Sequence, residues 1–353
     1  MGNSNTSISI WTRFKRRKSA YVSLVLIAVI AILAFLANFF VYDHTPGADL
    51  QHISLSLKPP GYSTKMIRIE KEVASKSLLE EFWVGYDKAY EEIPYQSLKS
   101  ESDSKLIFVN HFGIIQEIEN NSATTTDHSV TYFLGTDRYG RSISSRILRG
   151  IRLSLLVGGI AVLISLSIGI LLGMLAGYYQ RWVDAIIMYM INVTWSIPTL
   201  LLVFAIVLAF GRGVGIIFLA VGLTMWVDVA RIVRGQVIQQ RNEQYVTAAR
   251  SLGVPSMVIM FKHILPNIIG PILVIAAANF ATAILIEAGL SYLGFGINPP
   301  APSIGNMLND HYGYAVSGKL FLAIIPAVVI MILVLSFNLI GAGLRDAFDV
   351  KGD

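Results

Sequence analysis

The carboxylate best placed to do chemistry is Glu287, which stands well inside the apolar run Ile268 to Leu290. An ionisable group at membrane depth is costly, and where one persists it can bind a coupling ion or relay protons. Asp184 and Asp228 stand near the ends of other apolar runs. His44, His52, His111 and His128 fall together in one polar stretch. They could gather a metal, but no pair has ligand-like helical spacing, and solvated surface imidazoles are the plainer account. The apolar runs carry no Ser/His/Asp or paired-carboxylate arrangement, which argues against an intramembrane hydrolase. Cysteine is absent, which excludes disulfides, thiolate metal sites and cysteine nucleophiles. The glycine-containing stretch Gly135-Thr136-Asp137 … Gly140-Arg141 could be read as a phosphate loop. It lacks a Gly-Lys-Ser/Thr ending, and no strand is expected before it. No catalytic residue, cofactor or metal site is therefore expected, and the chain is not expected to be an enzyme.

The elements around these residues are membrane elements. Of 353 residues, 54% are hydrophobic and only 14% charged, and mean hydropathy is +0.59. A soluble domain carries nearly twice that charge. The net charge of +5 would suit a nucleic-acid partner, but much of it lies beside apolar runs, where it orients a protein in a membrane. No nucleic acid is expected, and the lipid bilayer is the surrounding phase. Residues 1–19 end in the basic run Arg13, Lys15, Arg16, Arg17, Lys18 and read as a cytoplasmic N-terminus. Residues 20–42 read as the first transmembrane helix. The run is too long for a signal peptide and ends in Asn-Phe-Phe-Val-Tyr rather than at a small-residue cleavage site.

Residues 43–132 read as a small extracytoplasmic α+β insertion. "KMIRIEK" alternates like a strand, "KLIFVNHFGIIQEI" is strand material, and "SKSLLEEFWVGYDKAYEEI" looks helical. "ENNSATTTDHS" reads as a flexible linker. Residues 133–353 hold further apolar spans near 153–178, 185–210, 214–229, 268–290 and 320–340, about six in all with the first. Gly169, Gly173 and Gly177 recur at every fourth position and give one small face for close helix packing. Pro198 lies inside the third span and Pro326 inside the sixth, where kinks or breaks are expected. The fold class is an all-α polytopic membrane protein carrying the insertion after its first helix.

Residues 243–267 are too polar to lie in lipid. Tyr245 to Leu252 reads as a short helix with Ala248 and Ala249 at its centre, followed by Arg250 in its last turns. Gly253 stands where a helix ends in a left-handed residue, Pro255 suits the first turn of a second helix, and Pro266 is expected to stop it.

This helix–glycine–helix elbow resembles the cytoplasmic coupling loop of ABC-importer permeases. That pattern reads Glu-Ala-Ala, three residues, Gly, nine residues, Ile, one residue, Leu-Pro. Ala248, Ala249, Gly253, Leu265 and Pro266 match; Thr247 replaces Glu and His263 replaces Ile, as in the dipeptide/oligopeptide branch, where Tyr245 and Arg250 also fit. Leu134-Gly135-Thr136-Asp137, Gly140-Arg141 and Ser145-Arg146 resemble the family's lead-in motif, with Ser142 where Asp is usual. The lead-in reads physically as a turn and an amphipathic segment with a basic face at the bilayer surface. "EAGLSYLGFGINPPAPSIGNML" and "FNLIGAGLRDAFDV" are similar to its later motifs. The resemblance implies the permease subunit (the C-type) of an importer for di- or oligopeptides in a bacterial cytoplasmic membrane. Its partners would be a homologous permease, two cytoplasmic ATPase subunits that bind the ATP, and an extracytoplasmic solute-binding protein. Nickel or another small solute is an alternative cargo, and an ion-coupled secondary transporter using Glu287 is an alternative class. Both termini and the elbow are expected on the cytoplasmic side.

Overall fold

The computed structural model describes residues 9–70, 85, 90–101, 105–119 and 125–349. Its main helices are α1 (Ile10–Arg16), α2 (Lys18–Phe35), α3 (Ile143–Tyr179), α4 (Arg181–Trp195), α5 (Thr199–Phe210), α6 (Val214–Arg241), α7 (Gln244–Ser251), α8 (Ile269–Tyr292), α9 (Ile304–His311) and α10 (Phe321–Phe348). Among the described residues, five helices are long and apolar enough to cross a membrane, or up to six if a bent pair counts as one span. Helices are the expected answer, because in hydrocarbon every backbone N–H and C=O must be satisfied within the segment.

Three expectations about proline need correction or refinement. The local unwinding expected at Pro198 is present and large: α4 and α5 meet at 86° across residues 196–198. Pro198 serves as the N-cap of α5, a position where its missing N–H costs nothing. Pro326 does not break the sixth span, since α10 runs unbroken through it. It lies just past the first turn, so a single intrahelical bond is lost. Pro266 does not stop its helix either. A π-turn over Ile259–Ile264 and a 3₁₀ turn over Leu265–Ile268 carry the chain into α8, shifting the hydrogen-bond register where Pro266 has no donor.

The described chain divides into two compact units. One holds residues up to 30, 154–296 and 328 onward; the other holds 31–153 and 297–327. In the first unit α3 lies on α6 through its glycine stripe. A Cβ on Gly169 would come within 2.5 Å of Val229, on Gly173 within 2.6 Å of the Ala230 carbonyl, and on Gly177 within 2.7 Å of Val237. Backbone-to-backbone packing of this kind replaces the hydrophobic drive that lipid cannot supply. At the N-terminus, α1 and the start of α2 pack on the far end of α10. Gly343 lies against Ala20 and Phe14, and Arg17 donates to the Ala342 carbonyl and pairs with Asp346.

The second unit contains the insertion. Strands β1 (Tyr62–Glu70), β2 (Tyr90–Tyr95) and β6 (Thr125–Tyr132) form one antiparallel sheet in the order β2-β1-β6. Strands β3 (Ser97–Glu101), β4 (Lys105–Val109) and β5 (Ile115–Glu119) form another in chain order. Most of the stretch expected to be helical, residues 75–89, lies outside the described residues apart from Gly85. Its last part, Tyr90 onward, is strand rather than helix. Alternation there turns Glu92 inward, where it accepts from Arg68 Nε at 3.1 Å and lies 3.1 Å from His128 Nε2. Pro94 is tolerated because β2 is an edge strand. The expected linker is likewise strand from Thr125: threonines and Val130 suit a pleated surface, and β1 supplies the ladder, with Tyr62 opposite Tyr132 and Met66 opposite His128.

Candidate functional site

The elbow is built on a short amphipathic helix. Val246 and Ala249 of α7 face inward, and they join Met174, Tyr178, Val233, Val237, Ile259, Met260 and Ile264 in one apolar cluster. Tyr245 is fixed by its hydroxyl, which donates to Gln240 Oε1 at 2.7 Å, and Arg250 lies 5.5 Å from the centre of the Tyr178 ring. The helix ends in a Schellman motif: Gly253 N–H donates to the Arg250 carbonyl at 3.0 Å and Val254 N–H to the Ala249 carbonyl at 3.1 Å. Gly253 has φ +77°, and a Cβ there would meet nothing within 4 Å. Pro255 is the N-cap of the next turn rather than its first residue.

Outward, the elbow presents apolar side chains to whatever lies beyond it. Leu252 is 83% exposed, and Met257 and Phe261 are also exposed. Ala248 shares that outer face, whereas Ala249 is buried, so the two alanines do different work. Leu265 packs against the inner cluster, His263 is half-buried, and its carbonyl accepts from Asn267 Nδ2 at 2.7 Å. Pro266 is exposed.

The lead-in motif sits elsewhere, in the second unit. A strand does precede it, β6, contrary to expectation, but its donors already have partners. Asp137 Oδ1 accepts from the N–H of Tyr139 at 2.8 Å and of Arg141 at 3.0 Å, and Oδ2 from Arg141 Nε at 2.6 Å. Arg141 also donates to Asp49 at 2.7 Å. Burial disfavours its charge, but Asp137 and Asp49 outweigh that and hold its pKa above the ordinary value. Thr136 donates to the Leu55 carbonyl and accepts from Lys58 N–H. Gly135 (φ +81°) and Gly140 (φ +74°) pass so close to the carbonyls of Lys58 and His52 that a Cβ would collide at 2.4 and 1.8 Å. The motif therefore staples the start of α3 to residues 49–58. The expected basic face at the bilayer surface is not there: Arg141, Arg146, Arg149 and Arg152 are all buried in this unit. His311 is buried beside the same ion pairs, and burial lowers its pKa.

Glu287 is fully buried in α8. Ser154 of α3 donates to Oε2 and Ser291 to Oε1, each at 2.9 Å. Both carboxylate oxygens are thus committed to hydroxyls within the helix packing.

A second polar site was not foreseen. Asp228 is expected near the end of the fourth span, with the helix continuing through Arg231 and Arg234, and α6 does continue, to Arg241. Asp228 accepts from Trp195 Nε1 at 3.2 Å, and the Arg231 guanidinium stands 3.5 Å from the Trp195 ring centroid. Nearer the helix end, Arg234 donates through Nη2 to Asp184 at 2.6 Å. The signal was available in the spacing: 228, 231 and 234 fall on one side of a helix, and α4 supplies the complementary groups.

Apolar spans, a bent helix pair and a polar elbow fastened to the spans define a class, that of polytopic membrane proteins. Comparison with known families agrees. The model of the binding-protein-dependent transport system inner membrane component matches residues 169–351, and that of the N-terminal transmembrane domain of oligopeptide transport permease C matches residues 8–60. The chain belongs to the binding-protein-dependent transport permease family. Among its relatives is a glutathione transport system permease of Pectobacterium atrosepticum, 41% identical over 63% of this chain and 74% of that one. A dipeptide transport system permease of Bacillus subtilis is 40% identical over 66% of this chain and 72% of that one. One from Lactococcus lactis is 31% identical over 97% of this chain and 89% of that one, so the likeness extends through the insertion. The chain is therefore a multi-pass membrane component of an ABC-type transport system, and such a permease works with an ATPase and a transmembrane partner.

Proposed function

We propose that this chain forms half of the translocation path of a di- or oligopeptide importer and receives the work of ATP hydrolysis at its elbow. The observation that carries the coupling role is the elbow's two-sided construction. Its inner face is packed into the base of α3 and α6, while Leu252, Met257 and Phe261 offer apolar surface outward. A push on the outer face would be transmitted to the spans through packed side chains rather than absorbed by a loose loop. The path would be completed by a homologous permease, the drive supplied by two ATPase subunits that hold the nucleotide, and the cargo delivered by an extracytoplasmic binding protein. The chain itself would carry neither cofactor nor catalytic group. Peptide cargo is supported by the dipeptide and glutathione permeases among its relatives.

In this reading the membrane is the bacterial cytoplasmic membrane, with elbow and termini inside. Arg17 pairs with Asp346, which supports placing the N-terminal segment and the end of α10 on one side. The basic run before α2 supports that side being the cytoplasm. Glu287 has a structural role, holding α3 to α8 through Ser154. The test is reconstitution with the ATPases, sister permease and binding protein. ATP-dependent accumulation of a labelled dipeptide in proteoliposomes is expected, and accumulation driven by a proton gradient without ATP would overturn the reading.

A further inference from the structure

The strongest unexplained feature of the spans is the polar face at the bend between α4 and α5. Trp195 ends α4 and is 54% exposed. Asn192 and Ser196 beside it are exposed, and Asp228 and Arg231 opposite it are half-exposed. None of these groups is absorbed by the coupling elbow, the lead-in motif or the Glu287 packing. Arg231 stacks on Trp195, but its Nε has no hydrogen-bond partner among the described residues.

Two independent observations converge here. First, Asp228 and Arg231 follow the apolar part of α6, and both are half-exposed rather than enclosed by the described residues. Facing lipid would be costly for both, so such groups face a water-filled cavity or another polar surface. Second, the chain unwinds at the same place: α4 and α5 meet at 86°. Irregular backbone at membrane depth is tolerated where it is buried in protein or lines a water-filled cavity, and Ser196, Ile197 and Pro198 are exposed among the described residues.

We propose that Trp195, Asp228 and Arg231 line the aqueous translocation path and contact the charged ends of the cargo. Asp228 accepts hydrogen bonds from the ammonium group of the passing solute, and Arg231 donates to its carboxylate. The Trp195 indole holds both side chains in place between transits. The cargo class is a zwitterion with separated termini, so this assignment rests on the peptide reading above. Water access to the face does not depend on that reading.

The chain has no cysteine, so single cysteines can be introduced without a background signal. Trp195→Cys is made in the assembled complex, with Val29→Cys, on an exposed apolar face of the first span, as comparison. Both are treated with a charged, membrane-impermeant thiosulfonate, with and without ATP. Labelling at position 195 at least about tenfold faster than at 29, in one or both nucleotide states, is expected. Equal slow labelling at both positions in every state would overturn the water-filled path. Asp228→Asn should lower the rate of dipeptide uptake about tenfold or more, as expected for losing a charge-assisted hydrogen bond. Asp228→Glu, which keeps the charge, should retain most of the rate, and co-purification of the ATPase is compared in both variants so that a lost contact is told from a lost complex. Unchanged uptake by Asp228→Asn would overturn the contact with the ammonium group. Absence of dipeptide uptake by the unsubstituted complex would instead count against the peptide reading, and the labelling rates would still decide the path.

Discussion

Replacing Gly253 with valine tests how force enters the permease. The residue has φ +77° and closes the Schellman motif of α7. A left-handed residue carrying a Cβ costs about 1–2 kcal/mol, with a branched side chain at the upper end. No steric term from the described residues is added, because none of them lies within 4 Å of the new Cβ. The inner cluster around Val246 and Ile264 is untouched, so insertion and pairing with the sister permease should persist. The loss should appear outside. The turn lies among exposed Leu252, Met257 and Phe261, and a valine there would hold a docked surface off them. A gap of ~0.5–1 Å already forfeits roughly a quarter to a half of each dispersion contact. Gly253→Val is therefore expected to abolish ATP-driven uptake and weaken ATPase co-purification at near-normal membrane abundance. Gly253→Ala should fall between, and substitutions at exposed Thr247 should be mild. Normal uptake by Gly253→Val would refute the argument that this turn is a close contact.

Other consequences can be checked separately. Glu287→Gln keeps the shape, and its amide oxygen can accept from one of Ser154 and Ser291 while its amide N–H donates to the other hydroxyl, so uptake should largely survive; loss of uptake in an intact, ATP-hydrolysing complex would favour a proton relay. Asp137→Asn leaves the buried Arg141 without its closest charge partner, a change worth about 3–5 kcal/mol. It should sharply lower membrane abundance and melting temperature, while Asp49→Asn, at a site 29% exposed, should do less. His311 has a folded-state pKa below its ordinary 6.5 because it is buried; Asp137 and Asp310 pull the value up, and Arg146 and Arg141 push it down. The unfolded chain therefore binds the proton more readily. The contribution to stability is full above pH 6.5 and declines as pH falls toward the folded-state pKa, with a slope of at most about 1.4 kcal/mol per pH unit. Melting temperatures measured across that range should fall less in His311→Gln; identical curves would show that the imidazole is not the titrating group.

What could be read from sequence divides along physical lines. Apolar length and the spacing around Gly253 announce themselves locally, because a span needs a run of apolar residues and a Schellman cap needs a glycine at one position. The break at Pro198 was legible though its 86° size was not, and the outcomes at Pro266 and Pro326 were not. Whether proline bends, caps or is carried through depends on which neighbouring donors can shift register, and that is a tertiary matter. The insertion was misread at Tyr90–Tyr95 because "AYEEI" has the composition of a helix, while strand pairing with β1 and burial of Glu92 against Arg68 override it. The lead-in arginines looked like a surface band because cations usually are; for Arg141 and Arg146, Asp137 and the distant Asp49 offset the burial. The continuation of the fourth span as a helix through Arg231 and Arg234 was legible and α6 shows it; the contact of Asp228 and Arg231 with Trp195 was not, because it depends on where α4 ends.

The central claim is that the outer face of the elbow touches the ATPase. Leu252→Cys is the direct probe, since the chain has no cysteine of its own and this side chain is 83% exposed. In membranes holding the whole complex, a short bifunctional thiol reagent should join the introduced thiol to an ATPase subunit bearing a cysteine in its permease-facing groove. The yield should change when ATP is bound. Cross-linking absent in every nucleotide state, in a complex that still transports, would contradict the account.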